Sequence, residues 1–239
     1  MILFDYGNTL IHEAGWNTLN GQKAVFEHVI SNPKGATAED ADNFALQVYE
    51  KDLSPSRDEC IEINQRQFMQ LMYETLGVEF DIPQEEVERL FWFSTSYGDI
   101  MPKADKLISY INNKGIRSGV ISNIGFTGKL LEERINTLLP ENKFEFIIAS
   151  SEYVYRKPHK RIFELAVAKS GLSPDEIWFC GDHTICDVTG SYNAGMFPVR
   201  YDNRSAANLW AGPDDAKLDF DHLYIHDWDE LIEILENAE

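Results

Sequence analysis

Two acidic side chains near the end of the chain are the strongest chemical signal in the sequence. A short apolar run begins at Trp178 and ends in Gly-Asp, at Asp182, and a second aspartate, Asp187, follows five residues later. Carboxylates beyond the carboxyl end of a buried strand form a site of hard oxygen ligands, which suits Mg²⁺. The chain also opens with an apolar run that ends in an acid, Asp5. Together the two segments predict a metal-assisted site with an aspartate nucleophile.

Two further segments place polar side chains beside predicted strands and helices. The strand predicted at residues 118–121 is followed by Ser122 and Asn123, and Lys157 stands before a predicted helix start. Because the carboxyl ends of parallel strands meet at one edge of a sheet, we expect these segments and the two acidic segments to converge on a single crevice.

The side chains of these four segments have complementary chemistry. Asp5 can attack a phosphorus centre and form a covalent acyl phosphate. Mg²⁺ held by Asp5 and Asp182 would offset the repulsion between a carboxylate and a phosphate dianion, and Lys157 would supply a second positive charge. We expect Ser122, Thr9 and Asn123, with nearby backbone amides, to hold phosphoryl oxygens.

The order of predicted strands and helices indicates an α/β protein with a doubly wound parallel sheet. Strands alternate with helices after Pro102, and this alternation is typical of a parallel sheet covered on both faces. The predicted strands are residues 2–5, 118–121, 144–148, 177–180, 198–201 and 223–225. The ligand crevice is expected outside the carboxyl ends of these strands.

A helical segment is predicted between the first strand and the others. Residues 22–30, 38–49, 60–75 and 84–93 carry apolar side chains at spacings of three and four, and no convincing strand pattern is found among them. We therefore predict an all-helical cap over residues 15–97, inserted into an α/β core made of residues 1–14 and 98–239.

The composition limits the partners and the location. The chain has 239 residues, and its 40 acidic side chains against 21 Lys and Arg give a formal charge of −19, which argues against nucleic acid and anionic membranes as partners. We find no signal peptide and no apolar stretch of membrane-spanning length. The three cysteines lack metal-ligand spacing and are interpreted as free thiols in a reducing cytoplasm.

Taken in order, the four segments resemble the four motifs of the haloacid dehalogenase superfamily of phosphohydrolases. The motifs are Asp5 to Thr9, Ser122, Lys157-Pro158 and Asp182 with Asp187, and the predicted helical insertion resembles the cap that this family places after its first motif. The resemblance spans the whole chain. It implies Mg²⁺-dependent hydrolysis of a phosphorylated substrate, and a cap that closes over the crevice favours a small metabolite.

The resemblance also implies roles for individual residues. Asp5 would be the nucleophile, Asp182 a metal ligand, and Asp187 a second metal-site carboxylate, either direct or through water. The residue two after the nucleophile gives a backbone carbonyl to the metal in this family, and here that residue is Gly7. Ser122 and Lys157 would grip the phosphoryl group.

Gly7 is also the main departure from the family pattern. Family phosphatases usually carry at this position an aspartate that protonates the leaving group and then activates water, and such help is worth roughly 10²–10⁴-fold. One interpretation is a phosphatase for anomeric sugar phosphates or acyl phosphates, whose leaving groups need little protonation. A nearby His12 or His183 could also substitute for the acid, although an exposed loop histidine is the simpler interpretation of each.

Two other interpretations stay open on the sequence alone. Phosphonate-cleaving members of the superfamily also have a small residue at this site and keep Mg²⁺, but they need a cap lysine for a Schiff base, and Lys23, Lys34 and Lys51 have no distinctive context. Dehalogenases need no metal, so the Asp182–Asp187 pair counts against them. The last interpretation is a phosphate-binding module that has lost turnover.

Overall fold

The computed structural model describes residues 1–202 and 217–237. The described strands are β1 (Ile2–Phe4), β2 (Ile11–His12), β3 (Val29–Ser31), β4 (Glu79–Phe80), β5 (Asp99–Ile100), β6 (Ser118–Ser122), β7 (Ile147–Ala149), β8 (Trp178–Gly181), β9 (Phe197–Tyr201) and β10 (Leu223–Ile225). The described helices are α1 (Thr18–Phe26), α2 (Ala38–Val48), α3 (Ser54–Asp58), α4 (Gln65–Leu76), α5 (Gln84–Thr95), α6 (Ala104–Asn113), α7 (Gly128–Leu138), α8 (Lys160–Ser170), α9 (Gly190–Asn193) and α10 (Trp228–Asn237).

The main sheet has six parallel strands in the order β10-β9-β8-β1-β6-β7. The chain leaves β1 in one direction towards β6 and β7, and β8 then returns to the other side of β1, so the strand order reverses beside β1. A crevice forms at such a reversal, outside the carboxyl ends of the strands. The predicted α/β class with a doubly wound parallel sheet is confirmed.

Apolar side chains cover both faces of this sheet. Phe4 and Val120 pack into the larger cluster on one face, which also contains Trp228 of α10. Leu3 and Ile121, which alternate with them along the same strands, pack against Phe163 of α8 and its neighbours on the other face. Burial on both faces explains why these strands are continuous apolar runs in the sequence.

The segment inserted between β2 and β5 holds α1 to α5. It also contains a short antiparallel ladder between β3 and β4, which the sequence analysis did not predict. Strands of two or three residues are too short to show the alternation by which a strand is recognised. A second antiparallel pair, β2 with β5, lies beside the predicted boundaries of the insertion. The division of the chain into a core and a cap stays a prediction, and residues 203–216 and 238–239 of the predicted core lie outside the described residues.

The boundaries of α4 differ from the predicted helix 60–75. The helix begins at Gln65, because the side chain of Asn64 accepts a hydrogen bond from the N–H of Gln67 and so caps its first turn. Cys60 has a φ of 58°, which excludes it from a right-handed helix. All three cysteines are free. Nowhere in the described ranges is a helix both long enough and apolar enough to span a membrane.

Candidate active site

Asp5 lies at the carboxyl edge of the sheet, between two neighbouring strands. Phe4 pairs with Val120 of β6 on one side and with Cys180 of β8 on the other. The N–H of Asp5 donates to the carbonyl of Cys180 at 2.8 Å, which fixes the backbone of Asp5 to the end of β8. The residue is 8% exposed, so its carboxylate is held in a mostly desolvated position.

Lys157 joins two of the predicted carboxylates. Its Nζ atom lies 2.6 Å from Oδ1 of Asp5 and 2.6 Å from Oδ1 of Asp187. The side chain of Lys157 is 1% exposed, so both contacts are shielded from water. Ion pairs in such a desolvated position are stronger than ion pairs at the surface. The structure therefore brings together the third motif and parts of the first and fourth.

Asn123 fixes the backbone of Lys157. The amide oxygen of Asn123 accepts the N–H of Lys157 at 2.7 Å, and its amide nitrogen donates to the carbonyl of Lys157 at 2.9 Å. The oxygen and the nitrogen of the Asn123 amide thus both bond to the backbone of Lys157. The sequence analysis predicted a phosphate-binding role for Asn123, whereas the geometry shows its side chain holding the lysine that faces Asp5.

Three aspartates form an acidic group beyond the carboxyl ends of β1 and β8. One ligand oxygen from each of Asp5, Asp182 and Asp187 lies within 4.8 Å of the others. The second oxygen of Asp187 accepts the N–H of His183 at 3.0 Å. Gly181 permits this arrangement, since a Cβ atom there would stand 2.4 Å from the side chain of Asp187.

Burial and the charges of these groups shift their pKa values. Burial raises the pKa of Asp5 to about 6, although the ammonium of Lys157 opposes the shift. Burial, followed by the charges of Asp187 and Asp5, raises the pKa of Asp182 well above its ordinary value. Burial would lower the pKa of Lys157, but the two carboxylates that it contacts outweigh burial and raise it. Three carboxylates and one ammonium leave two negative charges when all are ionised.

The two predicted phosphate-binding hydroxyls have different surroundings. Ser122 ends β6, at the same edge of the sheet as Asp5, and is 2% exposed. Thr9 is fully buried, and its hydroxyl has no hydrogen-bond partner among the described residues. Ser122 is therefore placed at the edge that carries Asp5, whereas the Thr9 hydroxyl is enclosed by protein.

Gly7 leaves open space where the family usually has an acid. A Cβ atom built on Gly7 would have no heavy atom within 4 Å. His183 is exposed, and its Nδ1 accepts the N–H groups of Ile185 and Cys186 at 3.2 Å each, so its ring caps the turn that leads to Asp187. His12 pairs through its backbone with Asp99 in the β2–β5 ladder. These contacts give each histidine a structural role.

The inserted segment contacts the loops that carry the site residues. The N–H of Glu62 donates to the carbonyl of Val154 at 2.6 Å, and the N–H of Arg156 donates to the carbonyl of Cys60 at 3.0 Å. The N–H of Gln65 donates to the carbonyl of Gly125, two residues after Asn123, at 2.8 Å. The sequence analysis did not find these contacts, because no local pattern signals a pairing between segments that lie 60 to 96 residues apart.

Comparison with known proteins places the chain in a family. The sequence profile of the haloacid dehalogenase-like hydrolases matches residues 1–195. A glyceraldehyde 3-phosphate phosphatase of Methanothermobacter thermautotrophicus is 35% identical over 98 residues, which are 41% of this chain and 42% of that protein. A protein of the same name from Pyrococcus furiosus is 27% identical over 138 residues, 57% of this chain and 54% of that protein. The chain thus spans about half the length of these relatives.

Solved structures share the fold. The structure of a HAD phosphatase from Thermococcus onnurineus has a TM-score of 0.63 at 19% identity, and the match covers 98% of this chain and 96% of that one. A 2-haloacid dehalogenase from Pseudomonas syringae pv. Tomato has a TM-score of 0.61 at 19% identity, with coverage of 100% and 98%. At this identity the likeness shows the fold alone. By its profile match over residues 1–195, the chain belongs to the haloacid dehalogenase-like hydrolase family.

Proposed function

We propose that this protein is a Mg²⁺-dependent phosphatase that acts on a small phosphorylated metabolite through an aspartyl phosphate at Asp5. The single observation that carries the proposal is the arrangement of Lys157, whose Nζ atom lies 2.6 Å from one oxygen of Asp5 and 2.6 Å from Asp187. The similarity to two proteins named glyceraldehyde 3-phosphate phosphatase also supports phosphate ester hydrolysis.

Asp5 is the group that attacks phosphorus. One carboxylate oxygen forms a bond to phosphorus while the bond from phosphorus to the leaving-group oxygen breaks, and the leaving group departs as its anion or takes up a proton from water. Water then attacks the phosphorus of the acyl phosphate, which releases inorganic phosphate and restores the carboxylate. Lys157 holds Asp5 in place before the attack and neutralises part of the negative charge that develops on the phosphoryl oxygens.

The acidic group fits a hard divalent cation. Asp5, Asp182 and Asp187 offer carboxylate oxygens within 4.8 Å of one another, and oxygen is the donor type that Mg²⁺ prefers. The raised pKa of Asp182 reflects its burial beside the carboxylates of Asp187 and Asp5. A divalent cation matches the two uncompensated negative charges, and when bound it would also attract the phosphate dianion. Gly7 could add its backbone carbonyl.

The missing acid at Gly7 directs the choice of substrate. The space beside Gly7 is open, and the Nδ1 atom of His183 is used as a cap. Leaving groups that need little protonation, such as those of anomeric sugar phosphates and acyl phosphates, should therefore react fastest. Ser122 and the backbone near it would hold the phosphoryl oxygens, with Asn123 positioning Lys157.

The alternatives fit the geometry less well. A Schiff-base lysine needs a lowered pKa, which burial provides, but the cap lysines Lys23, Lys34 and Lys51 are all exposed. A module without turnover would have no chemical reason to keep a buried lysine between Asp5 and Asp187. We also infer, from the free thiols and the acidic composition, a cytoplasmic protein that binds neither nucleic acid nor membrane.

A substrate panel tests the proposal. The panel contains sugar 1-phosphates, acyl phosphates and 4-nitrophenyl phosphate, each assayed with Mg²⁺ and with EDTA, beside the Asp5→Asn variant. We expect hydrolysis that requires Mg²⁺, is confined to good leaving groups and falls to background in Asp5→Asn. Full activity in Asp5→Asn would eliminate the proposed nucleophile, and full activity in EDTA would eliminate the metal.

A further inference from the structure

Tyr6, which directly follows Asp5, is held by hydrogen bonds at its backbone and at the end of its side chain. Its carbonyl accepts the N–H groups of Leu10 and Ile11, at 3.1 and 3.0 Å. Its ring is buried, and its hydroxyl donates to Oε1 of Glu13. A phenol keeps its proton at neutral pH, so the hydroxyl is the donor in this contact. The carboxylate of Glu13 therefore restrains the side chain of Tyr6.

The position of Tyr6 affects two groups of the site. Asp5 and Gly7 are its chain neighbours, and the proposed function assigns to them the attacking carboxylate and a backbone carbonyl for the metal. We call residues 5–7 the nucleophile segment. Peptide units are rigid, so a rotation of the backbone at Tyr6 displaces both neighbours. A contact that fixes the Tyr6 side chain thus restrains the nucleophile segment.

The second oxygen of Glu13 contacts the insertion and a helix of the sheet layer. Its Oε2 accepts Nε1–H of Trp92 on α5 at 3.3 Å and a hydrogen of Nη1 of Arg134 on α7 at 3.4 Å. The side chains of Glu13 and Arg134 are 16% and 2% exposed. Water screens such a pair only weakly, so the guanidinium holds the carboxylate in place.

Arg134 is itself fixed where the chain leaves the insertion. Its Nη2 donates to the carbonyl of Ser96 at 3.0 Å, and its guanidinium carbon lies 4.3 Å from the centre of the Phe93 ring. Gly98 leaves room for this side chain, since a Cβ atom there would stand 2.7 Å from Nη1 of Arg134. The position of Glu13 therefore depends on α7 and on the insertion together.

We propose that Glu13 is a positioning residue for the nucleophile: through the hydroxyl of Tyr6 it fixes Asp5 in the place from which Asp5 attacks phosphorus. The inference rests on the proposed function, since it takes Asp5 as the nucleophile. A positioning role predicts a loss of kcat that removal of an equally buried hydroxyl elsewhere in the chain does not cause.

Tyr6→Phe removes only the hydroxyl and so tests the link between Glu13 and the nucleophile segment. The rate is measured with 4-nitrophenyl phosphate and saturating Mg²⁺. We expect kcat to fall by roughly tenfold and KM to change by less than about twofold, because a misplaced nucleophile slows the attack without weakening the binding of substrate. Tyr73→Phe is the matched control. The buried hydroxyl of Tyr73 donates to Gln22 at 2.8 Å within the insertion, so its loss should lower stability and leave kcat unchanged.

Variants of Glu13 test the other side of the contact. Glu13→Gln keeps an oxygen that can accept the Tyr6 hydroxyl, whereas Glu13→Ala keeps no acceptor. Glu13→Gln should therefore retain more of the wild-type kcat than Glu13→Ala, which should lose at least as much as Tyr6→Phe. The double variant Tyr6→Phe/Glu13→Ala should have the kcat of Glu13→Ala, because the two residues act through one contact. Losses that multiply in the double variant would overturn the proposal.

Hydrogen exchange tests the positioning without turnover. The N–H of Asp5 donates to the carbonyl of Cys180, and the N–H groups of Leu10 and Ile11 donate to Tyr6, so loosening of the nucleophile segment exposes these amides. Peptides that cover residues 5–11 should exchange faster, relative to peptides of α8, in Tyr6→Phe and Glu13→Ala than in the wild type. Tyr73→Phe should leave this relative rate unchanged.

The outcomes separate this inference from the proposed function. Wild-type kcat in Tyr6→Phe, or equal losses in Tyr6→Phe and Tyr73→Phe, overturns the positioning role. An unchanged relative exchange of residues 5–11 in both Tyr6→Phe and Glu13→Ala also overturns it. Absence of Mg²⁺-dependent hydrolysis in the wild type contradicts the proposed function instead, and the exchange measurement then still decides whether Glu13 fixes the nucleophile segment.

Discussion

The side-chain amide of Asn123 bonds to both backbone polar groups of Lys157, at 2.7 Å to the N–H and 2.9 Å to the carbonyl. These two residues lie 34 positions apart in the chain, and their contact joins the end of β6 to the loop after β7. The position of the lysine ammonium between Asp5 and Asp187 therefore depends on a residue that contacts neither carboxylate.

We predict that Asn123→Ala impairs catalysis more than binding of Mg²⁺. Loss of the two hydrogen bonds frees the loop that carries Lys157, and a displacement of about 1 Å from a reacting group can cost roughly 10²-fold in rate. The measurement is kcat/KM for 4-nitrophenyl phosphate with saturating Mg²⁺. Asn112→Ala on α6 is the control, since the Asn112 side chain bonds to the exposed carbonyl of Glu141. Equal activity of Asn123→Ala and the wild type would refute the positioning role.

Gly7→Asp should create the acid that the chain lacks. The new side chain fits, because no heavy atom lies within 4 Å of a Cβ at this position. Hydrolysis of alkyl phosphates, whose leaving groups need a proton, should rise by about 10²-fold, while acyl phosphates gain little. Gly7→Asn is the matched control, since it has the same shape without an ionisable proton. No gain for alkyl phosphates would mean that another group already supplies the acid.

Acidification should weaken Mg²⁺ binding. Burial raises the pKa of Asp5 to about 6, and a carboxylate must lose its proton before it ligates a metal. Affinity for Mg²⁺ should therefore increase as the pH rises from 5 to 7, measured by calorimetry in several buffers. The Asp5→Asn protein should show a smaller change. An affinity that is constant over this range would contradict the assignment of Asp5 as a ligand.

The raised pKa of Asp5 also predicts how the free energy of unfolding depends on pH when EDTA removes metal ions. The folded pKa of Asp5, about 6, exceeds the ordinary value of 3.8, so the folded state binds more protons than the unfolded state between these values. The contribution of Asp5 to the free energy of unfolding is thus fully present below pH about 4 and is lost as the pH rises through about 6. Urea unfolding of the wild type and Asp5→Asn at pH 4, 5, 6 and 7 measures the difference between their free energies of unfolding. The wild type should lose stability relative to Asp5→Asn as the pH rises.

Glu88 of α5 is predicted to fasten the insertion to α7. Its carboxylate is 1% exposed and accepts the N–H of Thr127 at 2.9 Å, the Thr127 hydroxyl at 3.2 Å and Nε of Arg66 at 3.1 Å. Glu88→Ala leaves buried donors without a partner and should lower the free energy of unfolding by about 2–4 kcal/mol. Urea unfolding measures this loss.

Glu86→Ala provides the comparison for Glu88. Glu86 lies on the same helix, and its carboxylate pairs with Arg89 at 3.5 Å, with both side chains about 40% exposed. Such surface pairs contribute about 0–1 kcal/mol, so this variant should be close to the wild type. Equal losses for the two variants would show that the buried contact to Thr127 carries no special stability.

The parallel sheet and the places of Asp5 and Asp182 at the ends of its strands could be predicted, because short local stretches of the sequence signal them. Asp5 and Asp182 each follow a short apolar run, and such a run is the sequence pattern of a buried parallel strand. The two-strand ladder of β3 and β4 was missed, because its strands are too short to show a period. The enclosure of the Thr9 hydroxyl was missed for another reason: burial of one side chain depends on distant segments that no local pattern describes.

Contacts between distant segments account for the other differences. Arg156 precedes α8, which begins only at Lys160, and its side chain is 16% exposed and faces Glu62. Nothing near Glu62 in the sequence indicates that it meets Arg156, because the two residues are 94 positions apart. The use of Asn123 as a support for Lys157 depends on the same kind of long-range contact.

The central claim is a phosphoryl group carried by Asp5, and the most direct test is to find it. A reaction with Mg²⁺ and an acyl phosphate is quenched in acid within one turnover, and the peptides are analysed by mass spectrometry. We predict one added phosphoryl group on the peptide that contains Asp5, and none in Asp5→Asn. A wild-type protein that hydrolyses the substrate while its label lies on another residue, or on none at any quench time, would contradict the account.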